Sequence, residues 1–219
     1  MKRMKLGYFL TGFGHHVASS RHPDALERGG MNLTKTIEQA KTLEQAKFDF
    51  LFVSDSLYLD NKTHPDMFTM FEPISLMSIV ARETQNLGLI VTGSTSFSEP
   101  FSLARIFSSL DHYSNGRAGW NIVTSGINYT AKNFNGTTNA NHDLRYDQAE
   151  EFVNISKQLW SSWRGVNTEH LHAAGGFFSE KEPEPINYQG EFYSVKGPLN
   201  IEASPQGYPL LVQAGSSEK

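Results

Sequence analysis

Cysteine is absent from the 219 residues. A disulfide framework, a thiolate nucleophile and a Cys-ligated metal are therefore all excluded. Charge is scarce and balanced: charged residues make up 19% of the chain and the net charge is -4, so no broad basic surface exists to hold nucleic acid or anionic lipid. Long apolar runs are missing too. The first short one, Leu6 to Leu10, cannot form the core of a signal peptide or a membrane helix. No repeat of fixed period and no low-complexity tract interrupts the chain. What these absences leave is a soluble, cytoplasmic globular protein with no nucleic-acid or membrane partner and enough length for a substantial core.

What is present is a recurring unit. Leu87-Gly88-Leu89-Ile90-Val91 is continuously apolar, as suits a strand covered on both faces in a parallel sheet. It then turns polar through Thr92, Ser94, Thr95 and Ser96, and a helical pattern follows from Pro100 to Leu110. The same order of strand and polar edge recurs at Leu6–Leu10 with Thr11-Gly12-Phe13-Gly14, at Phe50–Val53 with Ser54-Asp55-Ser56, at Trp120–Val123 with Thr124-Ser125, and at Pro209–Val212 with Gln213 to Ser217. Between them lie helical patterns. Asn32 or Thr34 caps the first, which puts Leu33, Ile37, Ala40 and Leu43 on one face and leaves Glu38 and Glu44 on the other. Pro73 opens the second. The third stops at Asn115-Gly116, a normal carboxyl-terminal signal. The last begins at His142 and carries Ala149, Phe152, Val153, Ser156, Leu159, Trp160 and Trp163 on one face, the two tryptophans reading as core.

The fold class is thus α/β of the (β/α)8 TIM-barrel type, represented by five strands and four helices. Residues 1–219 form a single, incomplete barrel domain. Residues 164–204, rich in Gly, Pro and Glu, make an irregular insertion with a hairpin around Gln189-Gly190. Asn128 to Asn141 reads as a loop, and Lys219 reads as no natural domain end.

Parallel strands of such proteins bind ligands at their carboxyl ends. Asp55, Thr92, Asn121, His142, Tyr146, Ser216 and Ser217 all fall there. Asp55 either caps the turn after its strand or accepts a hydrogen bond from a ligand. Asn121, polar within an apolar strand, must find partners or lose roughly 1–3 kcal/mol, so it points into a lined cavity. His142 and Tyr146 stand one turn apart at a helix start and face the same ligand. The run Gly215-Ser216-Ser217 supplies backbone N–H groups and hydroxyls to a phosphate. Other chemistries fit less well. Gly12-Phe13-Gly14 lacks the third glycine of a dinucleotide fingerprint, since Val17 stands there and no helix follows. A metal site would draw on His15, His16, His22, His170 and His172, but His170 and His172 have no partner carboxylate at a recognised spacing and read as solvated surface residues, so no metal is expected. A nucleophile elbow is missing as well. A flavin mononucleotide matches the inventory: its phosphate suits Ser216, Ser217 and Tyr146, and its ring edge needs the groups that Asp55, Thr92 and Asn121 offer.

The motifs also carry a family resemblance from Leu6 to Lys219. Gly14-His15-His16-Val17 with Arg21-His22-Pro23, Phe52-Val53-Ser54-Asp55, Thr92-Gly93-Ser94-Thr95-Ser96 with Glu99-Pro100, Gly119-Trp120-Asn121-Ile122-Val123-Thr124-Ser125, His142-Asp143-Leu144-Arg145-Tyr146 and Gln213-Ala214-Gly215-Ser216-Ser217 occur in order. The chain resembles the bacterial-luciferase-like FMN-dependent monooxygenases, in the branch that acts on nitrilotriacetate, EDTA and dibenzothiophene sulfone. The resemblance implies FMN contacts at Asp55, Thr92, His142, Tyr146, Ser216 and Ser217. It implies further that reduced FMN comes from a separate reductase and that O2 is used to oxygenate a small aminopolycarboxylate- or organosulfur-type substrate. Relatives carry Trp before the Arg-His-Pro where this chain has Ser20, and they continue through strands six to eight.

No catalytic residue is assigned; His16 and Phe13 are the expectation for the substrate side. A sheet left open after five strands exposes apolar edges, so the chain is expected to be a homo-oligomer, dimer or higher, or to pair with a missing second fragment. The alternative is a truncated, catalytically inactive flavin-binding or structural remnant of such an enzyme.

Overall fold

Continuous apolar runs bounded by polar turns become strands here, and the amphipathic stretches between them become helices. The computed structural model describes residues 3–25, 27–59, 70–125, 128–134, 142–166 and 181–214, with the backbone alone at Asn128 and His142. In chain order the elements are β1 (Gly7–Phe9), α1 (Leu33–Gln45), β2 (Phe50–Val53), α2 (Pro73–Glu83), β3 (Gly88–Ser94), α3 (Pro100–Ser114), β4 (Ala118–Val123), α4 (Asn128–Ala131), α5 (His142–Ser161), β5 (Tyr188–Gln189), β6 (Ser194–Val195) and β7 (Leu210–Val212). Two 3-10 turns, Ser19–Arg21 and Gly29–Met31, lie in the β1–α1 connection. The main sheet runs β1-β2-β3-β4-β7 and every pair in it is parallel. This is the expected α/β architecture, five parallel strands of which the first four are followed by helices, with all carboxyl ends at one mouth.

Local chemistry starts and stops the helices. The Asn32 side chain accepts from the Lys35 N–H at 3.2 Å and begins α1. Both Glu72 carboxylate oxygens accept, from the Ile74 and Ser75 N–H groups, and Pro73 supplies a first residue that needs no partner. Asn115 adopts φ 55° and ends α3, where the Gly116 N–H returns to the Asp111 carbonyl at 2.9 Å.

The core lies between the sheet and the helices. Leu51, Val53, Leu89, Val91 and Trp120 meet Met77, Val80, Phe107, Phe152 and Leu159, all buried. Fully burying each large side chain of this kind is worth about 1.5–3 kcal/mol. Gly93 is where this face passes closest: an added Cβ would stand 2.8 Å from Trp120 Nε1, which donates to the Gly93 carbonyl at 3.0 Å. Trp160 is core as expected and its Nε1 donates to the Ala104 carbonyl at 2.9 Å, tying α5 to α3. Trp163 is half-buried and donates to the Leu199 carbonyl at 2.6 Å.

The structure departs from the sequence reading in three places. β3 does not end at Val91 but runs on to Ser94, because β4 continues beside it with Thr92 opposite Asn121 and Ser94 opposite Val123. The stretch expected as a loop from Asn128 contains the short helix α4, which buries Thr130 and Ala131. Glu44 is no mere decoration of α1: its Oε1 accepts from the N–H groups of Gln85, Asn86 and Leu87, fixing the approach to β3. The expected hairpin forms, with Tyr188 opposite Val195 and Gln189 opposite Ser194.

Candidate functional site

Alternation along a strand sends neighbouring residues to opposite faces, and in β3 and β4 it separates structural from available groups. Gly93 faces the helices, as Trp120 does. Thr92 and Asn121 face the other way, opposite one another in the register. The Thr92 hydroxyl donates to the Val53 carbonyl of β2 at 2.9 Å. Its single proton is thereby committed, so toward Asn121 it acts as acceptor, and the Asn121 Nδ2 donates to it at 3.0 Å. This fixes the amide's orientation. Asn121 is 4% exposed, and among the described residues no donor reaches its Oδ1.

Asn121 lines a cavity of ≈ 340 Å³ at the strands' carboxyl ends, whose walls include Asp55, Thr92, Ser94, Thr124 and Ser125 as well. Its volume falls at the lower end of the roughly 300–1,000 Å³ of small-molecule sites. The rim is stitched together: Ser94 and Ser125 hydroxyls lie 2.9 Å apart, and Thr95 donates to the Val123 carbonyl through both its N–H, at 3.0 Å, and its Oγ1, at 3.2 Å. Asp55 is half-buried. Burial pushes its carboxyl above the usual range, the Ser56 N–H pulls it back, and the charge of Glu72 pushes it up again. The site is therefore a polar strip with one uncommitted buried acceptor and one half-buried carboxyl whose pKa burial raises.

The structure brings Asp55, Thr92 and Asn121 to this one cavity. Tyr146 is half-buried on the second turn of α5 and is not in the cavity wall. The His142 side chain, Ser216 and Ser217 lie outside the described residues. The start of α5 is nonetheless tied to the mouth: Gln148 Nε2 donates to the Tyr193 hydroxyl at 2.9 Å, and that hydroxyl donates to the Thr95 carbonyl at 3.4 Å. Burial first, then the charges of Glu99 and Glu151, push the Tyr193 phenol up to about 12, so it stays a donor. Glu151 holds the hairpin turn, accepting from the N–H groups of Glu191, Phe192 and Tyr193. His16 is exposed, with its Nδ1 accepting from the Ala18 N–H at 3.1 Å, and neither it nor Phe13 lines the cavity. Among the described residues no group of three His, Asp or Glu side chains could hold a metal ion.

Sequence reasoning passed over Ser94, Ser125 and Tyr193. Both serines were visible at strand ends, but nothing local says that they meet across 31 residues. Tyr193 lies in the insertion, where no periodicity marks it.

Known proteins with the same arrangement are numerous. N-acetyl-S-(2-succino)cysteine monooxygenase of Bacillus subtilis (strain 168) is 53% identical over 216 residues, which are 99% of this chain and 49% of that protein. The solved EDTA monooxygenase from Chelativorans sp. BNC1 superposes with a TM-score of 0.85 at 35% identity, covering 99% of this chain and 50% of the other. A riboflavin lyase solved with modified FMN and riboflavin gives a TM-score of 0.86 at 32% identity, covering 99% and 51%. The chain spans about half the length of each. The barrel architecture and the branch that the motifs implied are both present in these relatives. The family described as luciferase-like monooxygenase matches residues 4–219, nearly the entire chain, and the protein belongs to that family.

Proposed function

We propose that this chain forms the flavin-side part of a monooxygenase that uses reduced FMN and O2 to oxygenate a small organic substrate. One observation carries the reading. Asn121 lines the cavity with its amide held by Thr92, and its Oδ1 is a buried acceptor with no donor among the described residues. A buried acceptor left so costs about 1–3 kcal/mol, which a ligand N–H can recover. The pyrimidine edge of a flavin offers an N–H flanked by carbonyls, so the residues present fit the group.

In this reading Asn121 and Thr92 receive the ring edge, with Thr92 keeping the amide turned outward. Asp55, in the same cavity wall, accepts a hydrogen bond from the ring edge when ionised and donates one to a ring carbonyl when protonated. The phosphate falls to His142, Tyr146, Ser216 and Ser217. Reduced flavin, when bound, supplies the two electrons that activate O2. The protein's own work is to orient that ring and to keep water out, and the rim bonds of Ser94, Ser125 and Tyr193 serve the second task. A separate reductase, a cytoplasmic location and a homo-oligomeric state complete the proposal. The names of the relatives support the monooxygenase chemistry, and the riboflavin lyase bound to modified FMN supports the cofactor.

The test is a fluorescence titration of FMN with the chain and with its Asn121→Leu variant, followed by O2 uptake in the presence of a flavin reductase. Binding by the parent, weakened about tenfold or more in the variant, is expected from the loss of one buried hydrogen bond and the intrusion of a methyl-bearing side chain. Equal binding by both folded proteins overturns the site. Binding without O2 uptake selects the inactive, flavin-holding alternative for this chain alone.

A further inference from the structure

A second cavity opens at the same mouth and is not used by that reading. It measures ≈ 180 Å³, lies where β1 and β2 end, and shares Ser54 with the first cavity. Phe9, Leu10, Val53, Met70, Phe71 and Leu76 give its apolar wall, and Thr11, His15, Thr36, Gln39 and Ser54 are its polar side chains. The Thr11 Oγ1 is buried and has no hydrogen-bond partner among the described residues. Two other polar groups of the wall are spent: Gln39 Nε2 donates to the Tyr8 hydroxyl at 2.7 Å, and Thr36 Oγ1 to the Asn32 carbonyl at 3.1 Å. Glycines close the top. A Cβ on Gly12 would stand 2.1 Å from the Gly30 nitrogen, so two strands of the β1–α1 connection meet backbone to backbone. Neither cavity has a Lys or Arg among its described lining residues.

We propose that this second cavity seats an uncharged, ring-sized apolar part of the organic substrate, bearing one hydrogen-bond acceptor that the Thr11 hydroxyl engages. The size argues for a ring, since an apolar cavity of about 150 Å³ takes up benzene. The chemistry argues for neutrality. An anionic group placed here would lose its hydration against aromatic and aliphatic walls, at a cost of several kcal/mol per charge, with no Lys or Arg among the described lining residues and only the solvent-exposed His15 ring to face it. Met70 beside Phe9 and Phe71 gives a polarizable, aromatic surface that receives thioether sulfur and aromatic rings favourably. Of the two substrate types that the motifs implied, the organosulfur type suits this cavity and the aminopolycarboxylate type does not; charged parts of a substrate must lie elsewhere. The inference rests on the monooxygenase reading for its word "substrate", and the cavity beside the flavin-side strip sets how the reacting atom is presented.

The experiment uses the full chain and three probes: methyl phenyl sulfoxide, methyl phenyl sulfide and nitrilotriacetate, titrated by ligand-observed saturation-transfer NMR. The sulfoxide should bind, and Thr11→Val, which keeps the side-chain shape, should weaken it about threefold to tenfold, the worth of one neutral hydrogen bond. The sulfide, lacking that acceptor, should bind parent and Thr11→Val alike. Leu76→Phe, which fills the cavity, should weaken both, and nitrilotriacetate should show no transfer. Nitrilotriacetate binding as strongly as the sulfoxide, an unchanged sulfoxide affinity in Thr11→Val, or no binding of either aromatic probe by folded protein overturns the proposal. Asn121→Leu should leave the sulfoxide affinity unchanged. Sulfoxide bound by a chain that fails to take up FMN sinks the flavin reading while leaving the apolar site standing; FMN bound without either aromatic probe does the reverse.

Discussion

The pair Thr92 and Asn121 gives opposite stability effects in two substitutions that look equally conservative. Thr92→Val keeps the shape and removes the hydroxyl. It strands Asn121 Nδ2, which donated to that hydroxyl at 3.0 Å, and takes a 2.9 Å donor away from the Val53 carbonyl. Two buried groups losing partners should cost about 2 kcal/mol. Asn121→Leu also breaks the bond to Thr92, a loss of about 1 kcal/mol, yet it deletes the orphaned Oδ1, whose burial already costs about 1–3 kcal/mol. Its net effect on the ligand-free protein should lie within about 1 kcal/mol of zero, and stabilisation is the favoured sign. In the Asn121→Leu background, Thr92→Val no longer strands an amide and should cost about 1 kcal/mol less than it does alone, a coupling within reach of a double-mutant cycle. Urea unfolding followed by circular dichroism measures all four proteins. For a chain of 219 residues each kcal/mol also moves the thermal midpoint by about 2–4 °C. Additive effects, or an Asn121→Leu protein destabilised by about 3 kcal/mol or more, would refute the claim that Oδ1 is held unsatisfied for a ligand.

Three further outcomes test the rest of the structure. Asp55 has its carboxyl pushed up on folding, chiefly by burial. Such a group stabilises the fold below its unfolded pKa and loses that contribution as pH rises through the folded one, so Asp55→Asn should flatten the decline in urea midpoint as pH rises above about 4; parallel profiles for variant and parent contradict it. Arg117, from the far end of the barrel, donates through Nε to the Ser114 carbonyl, through Nη1 to Thr84 Oγ1 and the Leu87 carbonyl, and through Nη2 to the carbonyls of Ala81 and Thr84. A Lys there cannot reproduce that planar fork, so Arg117→Lys should cost about 2–4 kcal/mol in urea unfolding without altering FMN affinity. Glu151→Ala removes the acceptor for three hairpin N–H groups and should speed hydrogen exchange at Glu191, Phe192 and Tyr193 by about tenfold or more, while leaving the β3 and β4 amides protected.

Signals confined to one element were legible in the sequence. β2 runs from Phe50 to Val53 and α2 starts at Pro73, both as the apolar run and the proline require. Asn121 was legible as well, because a polar side chain inside an apolar strand demands an explanation wherever the strand packs. Signals that need two elements were not. Thr92 looked like a ligand-facing hydroxyl, but its proton goes to Val53, 39 residues earlier. Glu44 looked like a solvated helix face, but it holds three N–H groups more than 40 residues away. The second cavity depends on Gly12 meeting Gly30, a contact with no periodicity to announce it.

These cases share a physical cause with a bearing on function. A hydroxyl, amide or carboxylate at a strand end has the same sequence signature whether it serves the fold or a ligand. What separates the two is whether its donors and acceptors are already spent, and that can be decided only atom by atom. By that measure the Thr92 proton serves the fold and only its oxygen is left for a ligand, while Asn121 Oδ1 and Thr11 Oγ1 are unspent among the described residues. Asn121 and Thr11 line neighbouring cavities and their unspent atoms have opposite capacities, one only accepting and the other free to donate. A fold that needed neither would have gained stability by placing apolar side chains at both positions. Their retention together at one mouth is therefore an argument for two ligands held side by side, a hydrogen-bond donor over Asn121 and an acceptor over Thr11.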